Sequence, residues 1–150
     1  MGWDYFFCEV DGERATMAVD LSVTTPQTER PHLVYLRIFP STWSKVTLEP
    51  DEEMRLFDEI ETFVDRIAAL HDAVYVGRAT TSSTRSYVLY APEGKYLRRW
   101  LQCTFVTLAE YGYDHCAGTG PDPDWSVYRD FLSPGPNEQA AIAAGRALRA

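Results

Sequence analysis

No window of this chain approaches the ~20 apolar residues that a membrane-spanning helix needs. The opening Met1-Gly2-Trp3-Asp4-Tyr5-Phe6 has neither a basic leader segment nor a long apolar stretch behind it. No membrane association or export is therefore expected, and the cytoplasm is the expected compartment. Cysteine is scarce: Cys8, Cys103 and Cys116 are the only three, an odd count without a C-x-x-C pair, which argues against a disulfide scaffold. Basic residues are outnumbered, 14 against 22 acidic. The resulting net charge of −8 repels phosphate backbones and anionic surfaces over about a Debye length, so nucleic acid is a disfavoured partner.

Catalytic signatures are missing as well. There is no G-x-S-x-G elbow, no G-x-x-x-x-G-K-[ST] loop and no G-x-G-x-x-G turn. Gly118-Thr119-Gly120 is a lone G-x-G followed by Pro121 and Pro123, so it reads as a linker. His32, His71 and His115 are far apart in sequence and no metal-ligand spacing occurs, so neither a metal nor a cofactor is expected. Asp114-His115-Cys116 sets an acid, an imidazole and a thiol side by side, but neighbours on a strand point to opposite faces, and His115 and Cys116 cannot pair.

What is present is a foldable core. Forty-five per cent of the 150 residues are apolar, with four Trp, nine Tyr and seven Phe, enough for one domain over residues 1–150 that buries roughly 70% of its unfolded surface. Residues 1–24 read as a hairpin, with an apolar and aromatic run from Trp3 to Val10, the turn Asp11-Gly12, and the alternating Ala15, Met17, Val19, Leu21 and Val23. His32 to Phe39 reads as a strand. A helix starts at Pro50 with Asp51, Glu52 and Glu53 at its positive end, and packs Phe57, Ile60, Val64 and Ile67, widened by Leu56, Phe63 and Leu70. Strands follow over Ala73–Ala79 and Ser86–Ala91, joined by a polar turn. A second helix is expected from Lys95 to Tyr111 with Leu97, Trp100, Leu101, Thr104, Phe105 and Leu108 inside, stopped by Gly112, and then a last strand from Tyr113 to Ala117.

Strand, helix, strand, strand, helix, strand is the order of a ferredoxin-like β-α-β-β-α-β antiparallel sandwich. The fold class expected is therefore α+β, with that core over residues 32–117, the N-terminal hairpin extending or covering its sheet, and a helical tail over 122–150. In the tail, Asp124 is the expected helix cap, Trp125, Tyr128 and Leu132 form a short apolar stripe, and an Ala-rich helix runs from Asn137 to about Leu148.

The leading candidate site is the hairpin from Arg78 to Arg85. Its two guanidinium groups flank five hydroxyl residues, Thr80 among them, and could receive a carboxylate or phosphate; the plainer reading is a solvent-facing turn. Asp122 is a candidate companion, though solvated first-turn charge is the better reading of it. Trp125 and Tyr128 read either as an aromatic platform for a partner or as the anchor of the tail. Lys95, Arg98 and Arg99 either join the two arginines in one basic patch or belong to a solvated helix face. RNA on the sheet face would need Tyr75 and Tyr87 exposed with a basic surround.

Three segments carry a resemblance to a known family. They are Trp3-Asp4-Tyr5-Phe6, Tyr75-Val76-Gly77-Arg78 followed by the Thr/Ser turn and Tyr87-Val88-Leu89-Tyr90, and the run from Asp122-Pro123-Asp124-Trp125 to Ser133-Pro134. In these the chain resembles the bacterial domain-of-unknown-function family numbered 695. That family is similar to domains resembling the regulator of ribonuclease E activity B, a small ferredoxin-like protein that acts by binding the nuclease. The resemblance implies no reaction; it implies a non-enzymatic protein-binding or regulatory module, with another protein as partner. No feature specifies an oligomeric state. The alternative is a small-ligand binder or enzyme with an anion-accepting site around Arg78 and Arg85.

Overall fold

The computed structural model describes residues 2–149, with side chains through residue 144. Strands β1 (Trp3–Val10) and β2 (Glu13–Asp20) are joined by Asp11 and Gly12 at φ 51° and 78°. Positive φ at both central positions gives the turn a twist that matches its strands, and the ladder runs unbroken from Val10↔Glu13 to Trp3↔Asp20. Then follow β3 (His32–Pro40), α1 (Pro50–Leu70), β4 (Val74–Thr81), β5 (Arg85–Ala91), α2 (Lys95–Thr104), a 3₁₀ segment (Val106–Tyr111), β6 (Tyr113–Pro121), a π-helical turn (Val127–Leu132) and α3 (Pro136–Arg149). The fold is α+β, with one six-stranded antiparallel sheet in the order β1-β2-β4-β5-β3-β6. The N-terminal hairpin extends the sheet beyond β4.

Both sheet faces are covered, but unequally. On one face Val34, Leu36 and Ile38 of β3 and Tyr87 and Leu89 of β5 meet Ile60, Val64 and Ile67 of α1 and Leu97 and Leu101 of α2. On the other face Met17, Val19, Val76, Val88 and Tyr90 meet Trp125, Tyr128 and Leu132 of the tail, with Ile142 of α3 at the margin. Each fully buried aliphatic side chain is worth roughly 1.5–3 kcal/mol. A sheet with apolar side chains on both faces needs both layers. The helix layer centres on β3 and β5 and stops short of β1, where Tyr5 is 61% and Phe7 72% exposed. Among the described residues no helix is long and apolar enough to cross a membrane.

Several expectations change. β6 runs through Gly118-Thr119-Gly120 to Pro121, so this stretch is strand and not linker. Gly118 sits where the Tyr35 ring lies across it and a Cβ would overlap that ring, Thr119 donates its hydroxyl to Leu33 O at 2.8 Å, and Pro121 closes an edge strand, where proline is tolerated. The second helix ends at Thr104, and the chain tightens into the 3₁₀ segment before Gly112 stops it at φ 87°. Trp100, expected inside, is 57% exposed because Leu97, Leu101 and Phe105 already define the buried line of α2. Phe63 and Leu70 are likewise exposed at the margins of α1. In the tail the N-cap position is Ser126, not Asp124, which is exposed; the Asp122 carboxylate accepts from Ser126 N–H at 2.9 Å and Val127 N–H at 3.1 Å.

Candidate functional site

Four side chains of α1, Asp58, Glu61, Thr62 and Asp65, recur at intervals of three, one and three residues, which places them along one helix face. This stripe lies beside the buried stripe of Ile60, Val64 and Ile67, on the side that looks towards β1. With Trp3 and Tyr5 of β1 and Tyr75 and Arg78 of β4 it walls an open cleft of about 390 Å³. Tyr5 and Arg78 belong to one cross-strand row, Tyr5, Ala18, Arg78, Tyr87, which runs across β1, β2, β4 and β5 with Ala18 and Tyr87 buried.

Arg78 forms a short ion pair with Glu61 Oε1, and the same oxygen accepts from Tyr75 Oη at 2.7 Å. The guanidinium also lies 5.8 Å from the centre of the Tyr5 ring, and Trp3 stands 5.1 Å from Tyr75, so aromatic faces surround the charged pair. Burial pushes the Tyr75 phenol far up, and Glu61 pushes it further, which keeps it a neutral donor. Burial alone lowers Arg78, but Tyr75 and Glu61 outweigh it and the net direction is upward. Asp65 is raised from its ordinary value by partial burial and by the Glu61 charge. One cation therefore faces three carboxylates, and the cleft favours a positive guest over an anion.

Arg85 occupies a different place. It opens onto a smaller cleft of about 150 Å³ with Glu53, Phe57, Thr80 and Tyr113, its guanidinium 4.6 Å over the Phe57 ring. Tyr87 lies between the two arginines, fully buried; burial raises its phenol to about 12, with Arg85 pulling the other way. Neither Arg85 Nε nor Tyr87 Oη has a hydrogen-bond partner among the described residues. The hydroxyl turn between the arginines does receive a carboxylate, from the chain itself. Glu13 of β2 accepts a short bond from the Ser82 hydroxyl and a 3.1 Å bond from Ser82 N–H, and Thr81 bonds Thr84 within the turn. Thr80 is on the same sheet face as Arg78 and pairs with Arg85.

Asp122, Trp125 and Tyr128 lie on the opposite sheet face and do not meet Arg78 or Arg85. Trp125 is fully buried, stacked 4.2 Å from the Tyr90 ring at 14°, and donates Nε1–H to Arg30 O at 2.8 Å. Tyr128 donates its hydroxyl to Asp20 O at 2.7 Å. Asp122 accepts from Tyr90 Oη at 2.7 Å and from the Ser126 hydroxyl at 2.7 Å, besides the two backbone N–H groups. These three residues hold the tail on the sheet. Lys95, Arg98 and Arg99 lie on α2, and none of them lines the cleft at Arg78 or the cleft at Arg85. Tyr75 and Tyr87 are buried beneath α1 and offer no stacking surface. His115 Nε2 pairs with Gln102 O at 2.7 Å, and Cys116 faces the other side of β6.

Sequence reasoning missed Trp3, Tyr5, Asp58, Glu61 and Asp65 as cleft residues. The three- and four-residue spacing of acids along α1 was the available signal, but its meaning depends on β1 standing opposite. No curated protein and no solved structure matches the chain. The pattern of the Family of unknown function (DUF695) matches residues 1–133, and the chain belongs to that family.

Proposed function

We propose that this chain is a non-enzymatic protein-binding module whose docking surface is the uncovered end of the sheet at β1. The observation that carries the reading is the pair Tyr5 and Phe7, two large aromatic side chains exposed side by side on one face of the outermost strand. Burying such rings stabilises an interface strongly, and contiguous exposed apolar surface of this kind marks interaction sites. A ferredoxin-like core from β3 to β6 belongs to the same proposal, supported by the sub-order β4-β5-β3-β6 and by helices α1 and α2 packing on one face. A relation to domains resembling the regulator of ribonuclease E activity B joins it as a fold-level analogy.

The test is a photo-crosslinking amino acid at position 7, compared with the same group at position 43, where Trp43 is 91% exposed in a loop outside the sheet. In extract of the source cells, position 7 is expected to give a discrete adduct that position 43 does not. Indistinguishable labelling from both positions, or no adduct from position 7, would count against the module.

A further inference from the structure

The helix layer stops short of β1, leaving a shelf whose floor is Tyr5 and Phe7 and whose far wall is the acidic face of α1. Its charge chooses the occupant. Asp58 and Asp65 have no side-chain hydrogen bond or ion pair among the described residues, and Arg78 is already paired with Glu61. A neutral or acidic segment on this shelf would leave those two carboxylates uncompensated and partly desolvated; a basic side chain would neutralise them. The aromatic rings add a second preference of the same sign, since ring faces attract cations by about 0.5–2 kcal/mol depending on how dry the contact is. The cleft of about 390 Å³ also has room for an alkylammonium or guanidinium group beside Arg78.

We infer that the partner docks through a segment bearing a lysine or arginine, with its apolar flank on Tyr5 and Phe7 and its cation in the cleft between Trp3, Asp58 and Asp65. This rests on the protein-binding reading and goes further by stating what the partner must present. Arg78 keeps its bond to Glu61 and forms the back wall, so the guest interacts chiefly with the two unpaired carboxylates.

The experiment titrates the full chain with a capped pentapeptide carrying one central lysine between valines and threonines, and with its arginine and norleucine counterparts. Backbone amide NMR shifts give both location and affinity. The lysine and arginine peptides are expected to shift the signals of Trp3, Tyr5 and Asp65 and to bind at least tenfold more tightly than the norleucine peptide at low salt. The preference should fall several-fold at 0.5 M salt, as attraction between partly exposed charges is screened. The double variant Asp58→Asn, Asp65→Asn alters two exposed side chains and should abolish the preference while leaving the urea midpoint unchanged. Equal binding of lysine and norleucine peptides, shifts confined to another surface, or no binding of any peptide would each overturn the inference. Crosslinking from position 7 would still decide the protein-binding reading by itself.

Discussion

Asp122→Ala is expected to destabilise the chain by about 3–4 kcal/mol although the residue is far from the cleft. The wild-type carboxylate accepts four hydrogen bonds, from Tyr90 Oη, the Ser126 hydroxyl, Ser126 N–H and Val127 N–H, at 2.7–3.1 Å. A hydrogen bond to a charged group is worth about 1.5–3 kcal/mol net. Ser126 is half-buried, so its two donors regain water in the variant and contribute little to the loss. Val127 is half-buried too and its N–H regains water in part, whereas the Tyr90 hydroxyl lies beneath Trp125, regains little and supplies most of the estimate. In a chain of this size the loss lowers the thermal midpoint by about 10 °C. Asp122→Asn keeps the volume but turns an amide donor towards groups that are themselves donors, so about 2 kcal/mol is expected.

The pH dependence separates this account from a mere packing defect. Burial pushes the Asp122 carboxyl up, but the bonds from Tyr90, Ser126 and Val127 outweigh it and hold it below the ordinary carboxylate value. A group whose pKa is depressed by folding stabilises the native state above the unfolded value, near 3.9, and loses that contribution as pH falls through the folded value. The wild-type advantage over Asp122→Asn should therefore be constant from pH 7 to about 5 and shrink below about 4. Urea unfolding followed by far-ultraviolet circular dichroism measures both quantities. A loss under about 1 kcal/mol for Asp122→Ala, or an Asp122→Asn deficit that persists undiminished at pH 3, would refute the reasoning.

Two further substitutions test the tail layer and the close approach of strands beneath it. Trp125→Ala removes a fully buried ring stacked on Tyr90 and should cost about 4 kcal/mol, whereas Trp43→Ala, at an exposed loop position, should change stability by less than about 0.5 kcal/mol; paired urea titrations decide it. Gly77→Ala places a Cβ 2.9 Å from Ala18 O and 3.1 Å from Leu132 Cδ1, so β2 or the tail must move, and about 2–3 kcal/mol should be lost in the same assay. A Gly77→Ala variant as stable as the wild type would show that the layers are looser than this geometry requires.

The parts of this fold legible in the sequence are those fixed by neighbours in sequence. Asp11-Gly12 specifies its turn through two local φ angles, and Pro50 with its trailing acids marks the start of α1, because each effect operates within one turn of chain. The hydroxyl-rich turn was legible as a turn, whereas the bonds that Ser82 gives to Glu13 of the neighbouring strand were out of reach of local sequence. Asp122 looked like solvated charge because its strongest partner, Tyr90, is 32 residues away. Gly118 and Gly120 looked like strand breakers because local propensity carries no information about the Tyr35 ring that lies over Gly118.

The sign of the cleft was hidden for the same reason, and for one more. A net charge of −8 says what the whole molecule repels at a distance, yet it does not say which surface concentrates the acids. Arg78 and Arg85 drew attention as an anion site because two cations that bracket a run of hydroxyl residues are easily seen. Three acids spread over eight residues of a helix are not, until the helix period brings Asp58, Glu61 and Asp65 into line. Even then the stripe is only a solvated face unless something stands opposite. What stands opposite is β1, and it is there because the Asp11-Gly12 hairpin adds to β4 as an extension of the sheet instead of folding over it. The choice between extension and covering thus decides whether Trp3 and Tyr5 stand opposite the acidic face of α1, and with it whether that face borders a cleft at all.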